Sequence, residues 1–369
     1  MRGMSLRILA VNSGSSSLKG SVVTWPALAT AARVEVALPA DQPVSLDAML
    51  ARAGRVDAVA HRVVHGGARF REAVRIDGPV RAALAELCEI DPLHAPRAIA
   101  GIDAAQRALP RLPHFACFDT VFHAALPEAA ATYALPRAWI ERWGLRRYGF
   151  HGLSVAHAAR RAPELARAPL RRVIVAHLGS GCSVTAVADG RSVDTTMGYT
   201  PLEGVVMATR SGSVDPGLLI DLLRTRGLSI DALERGLVRE GGLLGLSGAS
   251  GDLRAVRAAA EAGDARARLA IDVFVRSVQR AVGQVATALD GLDALVFTGG
   301  IGEHDAGVRA AVLANLGWMG LGLDPRKNEA ASSDADLSAE RSPARVLVIE
   351  AREDLTMVRE AAALLGEGQ

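Results

Sequence analysis

The hydrophobic positions of the chain open in two strand-length runs, residues 6–11 and 20–25, with the polar stretch Asn12-Ser13-Gly14-Ser15-Ser16-Ser17-Leu18-Lys19 between them. A hairpin held at both ends is expected, with a turn of small residues. Apolar runs recur at 34–38, 57–64 and 114–118; the second ends in His65-Gly66-Gly67 and the third delivers Asp119-Thr120. Between them the spacing predicts helices over 80–89, just after Pro79, and over 97–108. Alternating strands and helices predict an α/β class.

The same plan starts again in mid-chain. Residues 172–176 read as a strand, His177-Leu178-Gly179-Ser180-Gly181-Cys182-Ser183 as a Gly/Ser loop, and 184–188 as a second strand turned at Asp189-Gly190. This repeats the order of residues 6–25, so an internal duplication is expected, with both loops facing one cleft. Helices are predicted over 216–226, 230–239 and about 265–289, the last with Leu269, Val273, Val278, Val282 and Val285 on one apolar face. A strand at 293–298 feeds Gly299-Gly300-Ile301-Gly302-Glu303, read as a loop, and a strand at 345–349 leads to Glu353 and a closing helix through 365. Residues 325–343, polar and rich in Ser, Asp and Ala, read as a surface excursion.

Composition narrows the classes. A length of 369 residues exceeds what one core holds, so two lobes are expected. With a net charge of +2 and no basic stripe interleaved with aromatics, nucleic acid is not an expected partner. Only two of the 42 basic residues are lysines, Lys19 and Lys327, so an ammonium kept in the first Gly/Ser loop hints at a need for it there. Cys88, Cys117 and Cys182 are far apart and form no C-x-x-C, which argues against a disulfide framework or a zinc site and for a reducing cytoplasm. The first apolar run, about six residues, is too short for a signal peptide or a membrane span, so a soluble cytoplasmic protein is expected.

Three small loops at strand ends, 12–19, 177–183 and 299–303, point to phosphate, because glycine lets backbone N–H groups approach an anion closely. None matches G-x-x-x-x-G-K-[ST], and none opens a G-x-G-x-x-G dinucleotide unit.

The stretch 12–19 resembles the first signature of acetate kinases. Thr195-Thr196-Met197-Gly198-Tyr199-Thr200-Pro201-Leu202-Glu203-Gly204, running on to Met207-Ala208-Thr209-Arg210-Ser211-Gly212, resembles their second. Further matches are His61-Arg62-Val63-Val64-His65-Gly66-Gly67, Pro92-Leu93-His94, Phe118-Asp119-Thr120, Arg147-Tyr148-Gly149-Phe150-His151-Gly152, 299–303 and Glu353-Asp354-Leu355. They occur in family order, and on them the chain is identified as a member of the acetate kinase (acetokinase) family. The resemblance implies the duplicated ribonuclease-H-like (actin-like ATPase) fold of two lobes, residues 1–121 plus 355–369 and residues 122–354. It also implies reversible transfer of the ATP γ-phosphoryl group to acetate, giving acetyl phosphate and ADP, with Mg²⁺ or Mn²⁺, in a homodimer.

Site residues follow from the same resemblance. Arg62 binds the carboxylate, and Val64, Leu93, Phe150 and Pro201 enclose its methyl end. Asp119, His151 and Arg210 are the catalytic set. ATP is assigned to Ser15, Ser17, Lys19, His177, Leu178, Gly179, Ser180, Gly181, Asp252, Leu253, Arg254, Gly300, Ile301, Gly302, Glu303 and His304; the metal is assigned to Asn12 and Glu353. In-line phosphoryl transfer demands charge neutralisation and positioning, which two guanidinium groups supply. A carboxylate substrate with a pKa near ~4 is already ionised at neutral pH, so Asp119 reads as an organiser of Arg62 or of metal-bound water rather than a base.

Several positions depart from the family pattern: Ser180 for Asn, Ala208 for Gly, Leu153 and Val155 for Thr and His, Leu253 for Phe, and His304 for Asn. Most lie on the nucleotide side and leave donor preference open. An added methylene changes selectivity by only about 1–3 kcal/mol, so a propionate or butyrate kinase is the nearest alternative, with a pyrophosphate-using relative beside it. An ATP-gated actin-like binding protein would call for a peptide-binding domain, for which no segment is expected. An inactive relative would be expected to lack Arg62, Asp119, Arg210 or Glu353; all four are present.

Overall fold

The structure, a computed structural model, describes residues 5–13, 17–37, 44–92 and 94–367. Ser15 and Leu93 therefore lie outside the described residues. The chain divides into two compact units: Met1–Ala124 with Phe150–His157 and Arg352–Gln369, and Ala125–Gly149 with Ala158–Ala351.

The first unit is built on strands β1 Leu6–Ser13, β2 Ser17–Trp25, β3 Ala29–Ala37, β4 Ala58–Val63, β5 Val74–Arg75 and β6 His114–Phe118. Their order across the sheet is β3-β2-β1-β4-β6-β5. β1, β2 and β3 form an antiparallel meander, whereas β1, β4 and β6 run parallel. The second unit uses β7 Arg172–Leu178, β8 Cys182–Ala188, β9 Arg191–Thr195, β10 Ala294–Thr298, β11 Ala335–Asp336 and β12 Arg345–Val348. Their order is β11-β12-β10-β7-β8-β9, which read from the other edge is the topology of the first sheet strand for strand. The expected duplication is thus present in the hydrogen bonding itself, and the chain has the duplicated ribonuclease-H-like, actin-like fold.

Both sheets are covered on their faces, as parallel strands require. In the first unit Ile8, Ala10, Ala58, Ala60, Phe115 and Cys117 pack against helix Glu353–Glu367 through Leu355, Val358 and Ala361. The alternate residues Leu9, Val11 and Val59 face Met49, Ala53 and Ala105 on the other side. The period-2 alternation of β1 therefore divides it between two cores.

Three readings from sequence are corrected. Residues 299–303 are not a loop but the start of a short helix, Gly299–His304. On helix Ala265–Ala286 the buried face is Ala267, Ala270, Phe274, Val278, Ala281, Val282 and Val285, and Leu269 is exposed. Small alanines take the inward positions there, so the larger leucine is left outside. Segment 325–343 holds helix Pro325–Ala330 and strand β11, with Asn328, Leu337 and Ser338 buried.

Two histidine sites in the first unit are buried and neutral. His61 on β4 stacks on His114 of β6, with Nε2 3.0 Å from His114 Nδ1, and His114 Nε2 donates to the Leu109 carbonyl. His123 Nε2 donates to the Phe150 carbonyl at 3.0 Å. Burial, with the neighbouring His114, lowers the pKa of His61 from 6.5 to about 3, and burial lowers that of His123 to about 4. Because the folded pKa values are depressed, the unfolded chain takes up protons first. Stability from keeping these groups neutral is fully present above pH 6.5 and is lost as pH falls toward about 4 and then 3. The unfolding midpoint should therefore fall steadily below about pH 6.5, and a His61→Gln/His123→Gln variant should show a shallower slope. Denaturation followed by circular dichroism across this range checks it; equal slopes in the two proteins would contradict the assignment.

Candidate active site

The parallel strands of the first unit end in residues assigned to the site from sequence. Asn12 lies near the end of β1, Arg62 near the end of β4, and Asp119 immediately after β6. Register sets them side by side: Val11 pairs with His61 and Arg62 with Cys117, and the Asp119 N–H donates to the Val63 carbonyl at 3.1 Å. Carboxyl ends of parallel strands are where open α/β sheets collect their ligands.

Arg62 and Asp119 form a two-point pair, with Nε to Oδ1 at 3.0 Å and Nη2 to Oδ2 at 2.5 Å. Asp119 is only 1% exposed, so its charge is desolvated and held by the guanidinium. Burial alone would lower the pKa of Arg62, but the charge and hydrogen bonds of Asp119, together with the charge of Glu353, raise it above the ordinary arginine value. Both carboxylate oxygens of Asp119 are thus occupied by arginine N–H groups, which fits an organiser rather than a base. Val64 follows Arg62 at the same strand phase and is half-buried.

The Phe150–His157 segment is fixed to this strand end. The Gly152 N–H donates to the Asp119 carbonyl at 2.8 Å, and a Cβ at Gly152 would come within 2.2 Å of that oxygen. Glycine is therefore required at this close approach. His151, one residue before, has φ of +59°, a left-handed conformation uncommon for a side-chain-bearing residue and one that clusters at functional sites. Phe150 is buried edge-on against His65 at 5.2 Å, and His65 Nδ1 accepts the Gly67 N–H at 2.8 Å.

Asn12 and Glu353, the assigned metal ligands, contribute oxygen donors. Glu353 opens the helix Glu353–Glu367 and lies within electrostatic reach of Arg62. Among the described residues no cluster of three or more His, Cys, Asp or Glu could hold a metal by itself. A sparse set of hard oxygens fits Mg²⁺, which keeps several waters and takes further ligands from substrate phosphates. Lys19 pairs with Asn12 in the β1–β2 register, but its ammonium is exposed and 3.2 Å from Glu35. Ser17 begins β2 and is half-buried.

In the second unit the Gly/Ser loop assigned to phosphate from sequence is the turn of the β7–β8 hairpin. His177 pairs with Thr298 of β10, placing Gly179 beside the start of helix Gly299–His304; a Cβ on Gly179 would be 3.9 Å from the Gly300 nitrogen. Gly299, at φ +78°, passes so close to Leu178 that a Cβ would meet its carbonyl at 2.7 Å. The Cys182 thiol donates to the Gly179 carbonyl at 3.3 Å and pins the turn, with burial pushing its pKa up to about 12. Ser180 is exposed, and its carbonyl accepts the Ala208 N–H at 3.2 Å. That bond joins the β7–β8 turn to the segment carrying Arg210, whose Nη1 donates to the Pro201 carbonyl.

Asp252 caps helix Leu253–Glu261 and pairs with Arg254 through both carboxylate oxygens, while Leu253 is buried. Ile301 and Gly302 lie within helix Gly299–His304. Glu303 accepts the Ala351 N–H at 2.9 Å, its pKa raised by burial, and His304 is exposed at the helix end. A cavity of about 750 Å³ opens elsewhere in this unit, against Ser211, Gly242, Asp272, Arg276 and Arg280; none of the residues assigned from sequence lines it.

Sequence reading missed Cys182 as a loop brace and Arg309 as the support of helix Gly299–His304. The fully buried Arg309 guanidinium donates to the Gly302 and Glu303 carbonyls at 3.0 and 2.8 Å. No local signal marks a residue that acts on carbonyls six and seven positions earlier.

The family model of the acetokinase family matches residues 41–359. Acetate kinase of Synechococcus sp. (strain JA-2-3B'a(2-13)) is 52% identical over 308 residues, covering 83% of this chain and 76% of that protein. Acetate kinase of Leifsonia xyli subsp. xyli (strain CTCB07) is 44% identical over 396 residues, covering 98% and 99%. Among solved structures, Porphyromonas gingivalis acetate kinase superposes with a TM-score of 0.89 at 32% identity, covering 98% of this chain and 100% of that one. A propionate kinase from Francisella tularensis subsp. tularensis SCHU S4 gives 0.88 at 34%, covering 96% and 98%. With matches of this extent, the chain belongs to the acetokinase family.

Proposed function

We propose that the protein is an acetate kinase that moves the γ-phosphoryl group of ATP directly onto the carboxylate of acetate, and back. The observation that carries this reading is the Arg62–Asp119 pair at the ends of the parallel strands, in a chain of this family. Asp119 occupies the Nε and Nη2 side of the guanidinium, which leaves the Nη1 side to meet a substrate carboxylate. Val64 and Phe150, on the same unit as Arg62, are read as apolar surroundings of its methyl group. The loop 177–181 and helix Gly299–His304 hold the nucleotide, and Arg210 and His151 stabilise the charge of the transferring group.

Mg²⁺ is read as held by Asn12 and Glu353 together with phosphate and water, where it neutralises phosphate charge. No helix among the described residues is long and apolar enough to cross a membrane. The three cysteines are free, which supports a reducing, cytoplasmic setting where ATP is present. The exposed Leu218, Ile220 and Ile230 of helices Pro216–Arg224 and Ile230–Val238 support pairing of two copies as a homodimer.

Trapping the product with hydroxylamine tests the reading. Acetate, propionate and butyrate are each offered with ATP, GTP or pyrophosphate in the presence of Mg²⁺. Acetohydroxamate from acetate and ATP is expected, with propionate a weaker substrate. No hydroxamate from any pair would contradict it.

A further inference from the structure

The second signature, residues 195–204, is folded around a polar cluster to which no role has been given. Glu203 receives the Tyr133 hydroxyl on Oε2 at 2.7 Å and Arg147 Nη2 on Oε1 at 2.8 Å. Arg147 Nη1 donates to the Thr196 and Met197 carbonyls, each at 3.1 Å, and its guanidinium lies 5.4 Å over the Tyr133 ring. The Tyr133 oxygen accepts the Tyr199 N–H at 2.8 Å, and the Tyr148 N–H donates to the Gly198 carbonyl at 3.0 Å. Two side chains from outside the signature, Tyr133 and Arg147, therefore fix its backbone at 196, 197 and 199, and Glu203 within it holds both of them. The fit leaves no slack: a Cβ on Gly198 would lie 1.8 Å from Glu203 Oε2 and 2.1 Å from the Tyr133 oxygen.

The segment so fixed contains Pro201, whose carbonyl accepts Arg210 Nη1. We infer that Tyr133, Arg147 and Glu203 are positioning residues that set the Pro201 carbonyl and, through it, the direction of the Arg210 guanidinium. The inference rests on the reading of Arg210 as the group that stabilises the transferring phosphoryl. The cluster has the properties such a support needs. It is charge-balanced between Arg147 and Glu203, Arg147 is largely buried, and each carboxylate oxygen has a donor.

Tyr133→Phe deletes one donor and one acceptor while keeping the ring, and Glu203→Gln keeps the shape while losing the charge. Misplacing a catalytic group by about 1 Å costs on the order of a hundredfold, so each variant should lower kcat about ten- to a hundredfold per folded molecule. The KM for ATP should stay within about twofold, because the phosphate loop is untouched. Each substitution is also made in an Arg210→Ala background, where it should change the residual kcat by less than about twofold. A role confined to stability would lower the melting temperature and leave kcat per folded molecule at the wild-type value, and that result overturns the inference. Full, additive losses in the Arg210→Ala background overturn it as well. Wild-type turnover in Arg210→Ala alone would instead defeat the underlying reading of Arg210.

Discussion

Replacing Arg210 by alanine is expected to reduce kcat about a thousandfold or more while changing ATP affinity only slightly. The size follows from the reaction. In-line transfer spreads charge over the equatorial oxygens of the phosphoryl group, and a preorganised guanidinium acts on that charge more strongly in the transition state than in the ground state. Arg210 is held by the Pro201 carbonyl, and its segment is tied to the β7–β8 turn through the Ala208–Ser180 bond. Gly242 packs against the same segment so closely that a Cβ there would be 2.2 Å from the Met207 carbonyl and 2.7 Å from that of Arg210. The variant should therefore keep its backbone and lose only the charge. Steady-state kinetics and calorimetric ATP titration separate the two effects; a parallel loss of ATP binding would assign Arg210 to the ground state instead.

Asp119→Asn is expected to raise the KM for acetate and to lower kcat/KM for acetate about a hundredfold, with the KM for ATP little changed. The amide presents a donor to one of the two arginine N–H groups now bound, and it leaves a largely buried guanidinium without its counter-charge. Removing one partner of such a pair costs about 2–5 kcal/mol, so the variant should also unfold at lower temperature. Kinetics with acetate varied at saturating ATP, together with a thermal melt, check both parts. A variant that loses kcat alone, with unchanged acetate KM and unchanged stability, would show that Asp119 serves chemistry rather than Arg62.

The fold was largely legible because duplication writes itself twice. Each unit begins with two apolar strands around a small polar loop, and period-2 burial makes such strands visible. What stayed hidden was set by contacts distant in sequence. Gly299-Gly300-Ile301-Gly302 has poor helix propensity, yet it is helical because Arg309 satisfies the carbonyls at its end, a tertiary effect that overrides local preference. Leu269 was placed on the inner face by its hydrophobicity, but Ala267 and Ala270 take that face. Of the site, Arg62 and Asp119 stood in recognisable motifs and lie together in the structure, whereas the exposed Lys19 ammonium is engaged with Glu35. Arg147 and Glu203 stood in recognisable motifs, but their joining with Tyr133 had no local signal, because Arg147 and Tyr133 are 56 and 70 positions from Glu203.

The proposed reaction is a single direct transfer of the phosphoryl group, with Asp119 engaged by Arg62 rather than acting on the phosphoryl group. The most direct measurement is the stereochemical course of transfer from ATP carrying a γ-phosphoryl group made chiral with oxygen isotopes. One in-line displacement predicts inversion at phosphorus in the acetyl phosphate formed. Net retention would require two displacements and a phosphorylated side chain, and would contradict the account.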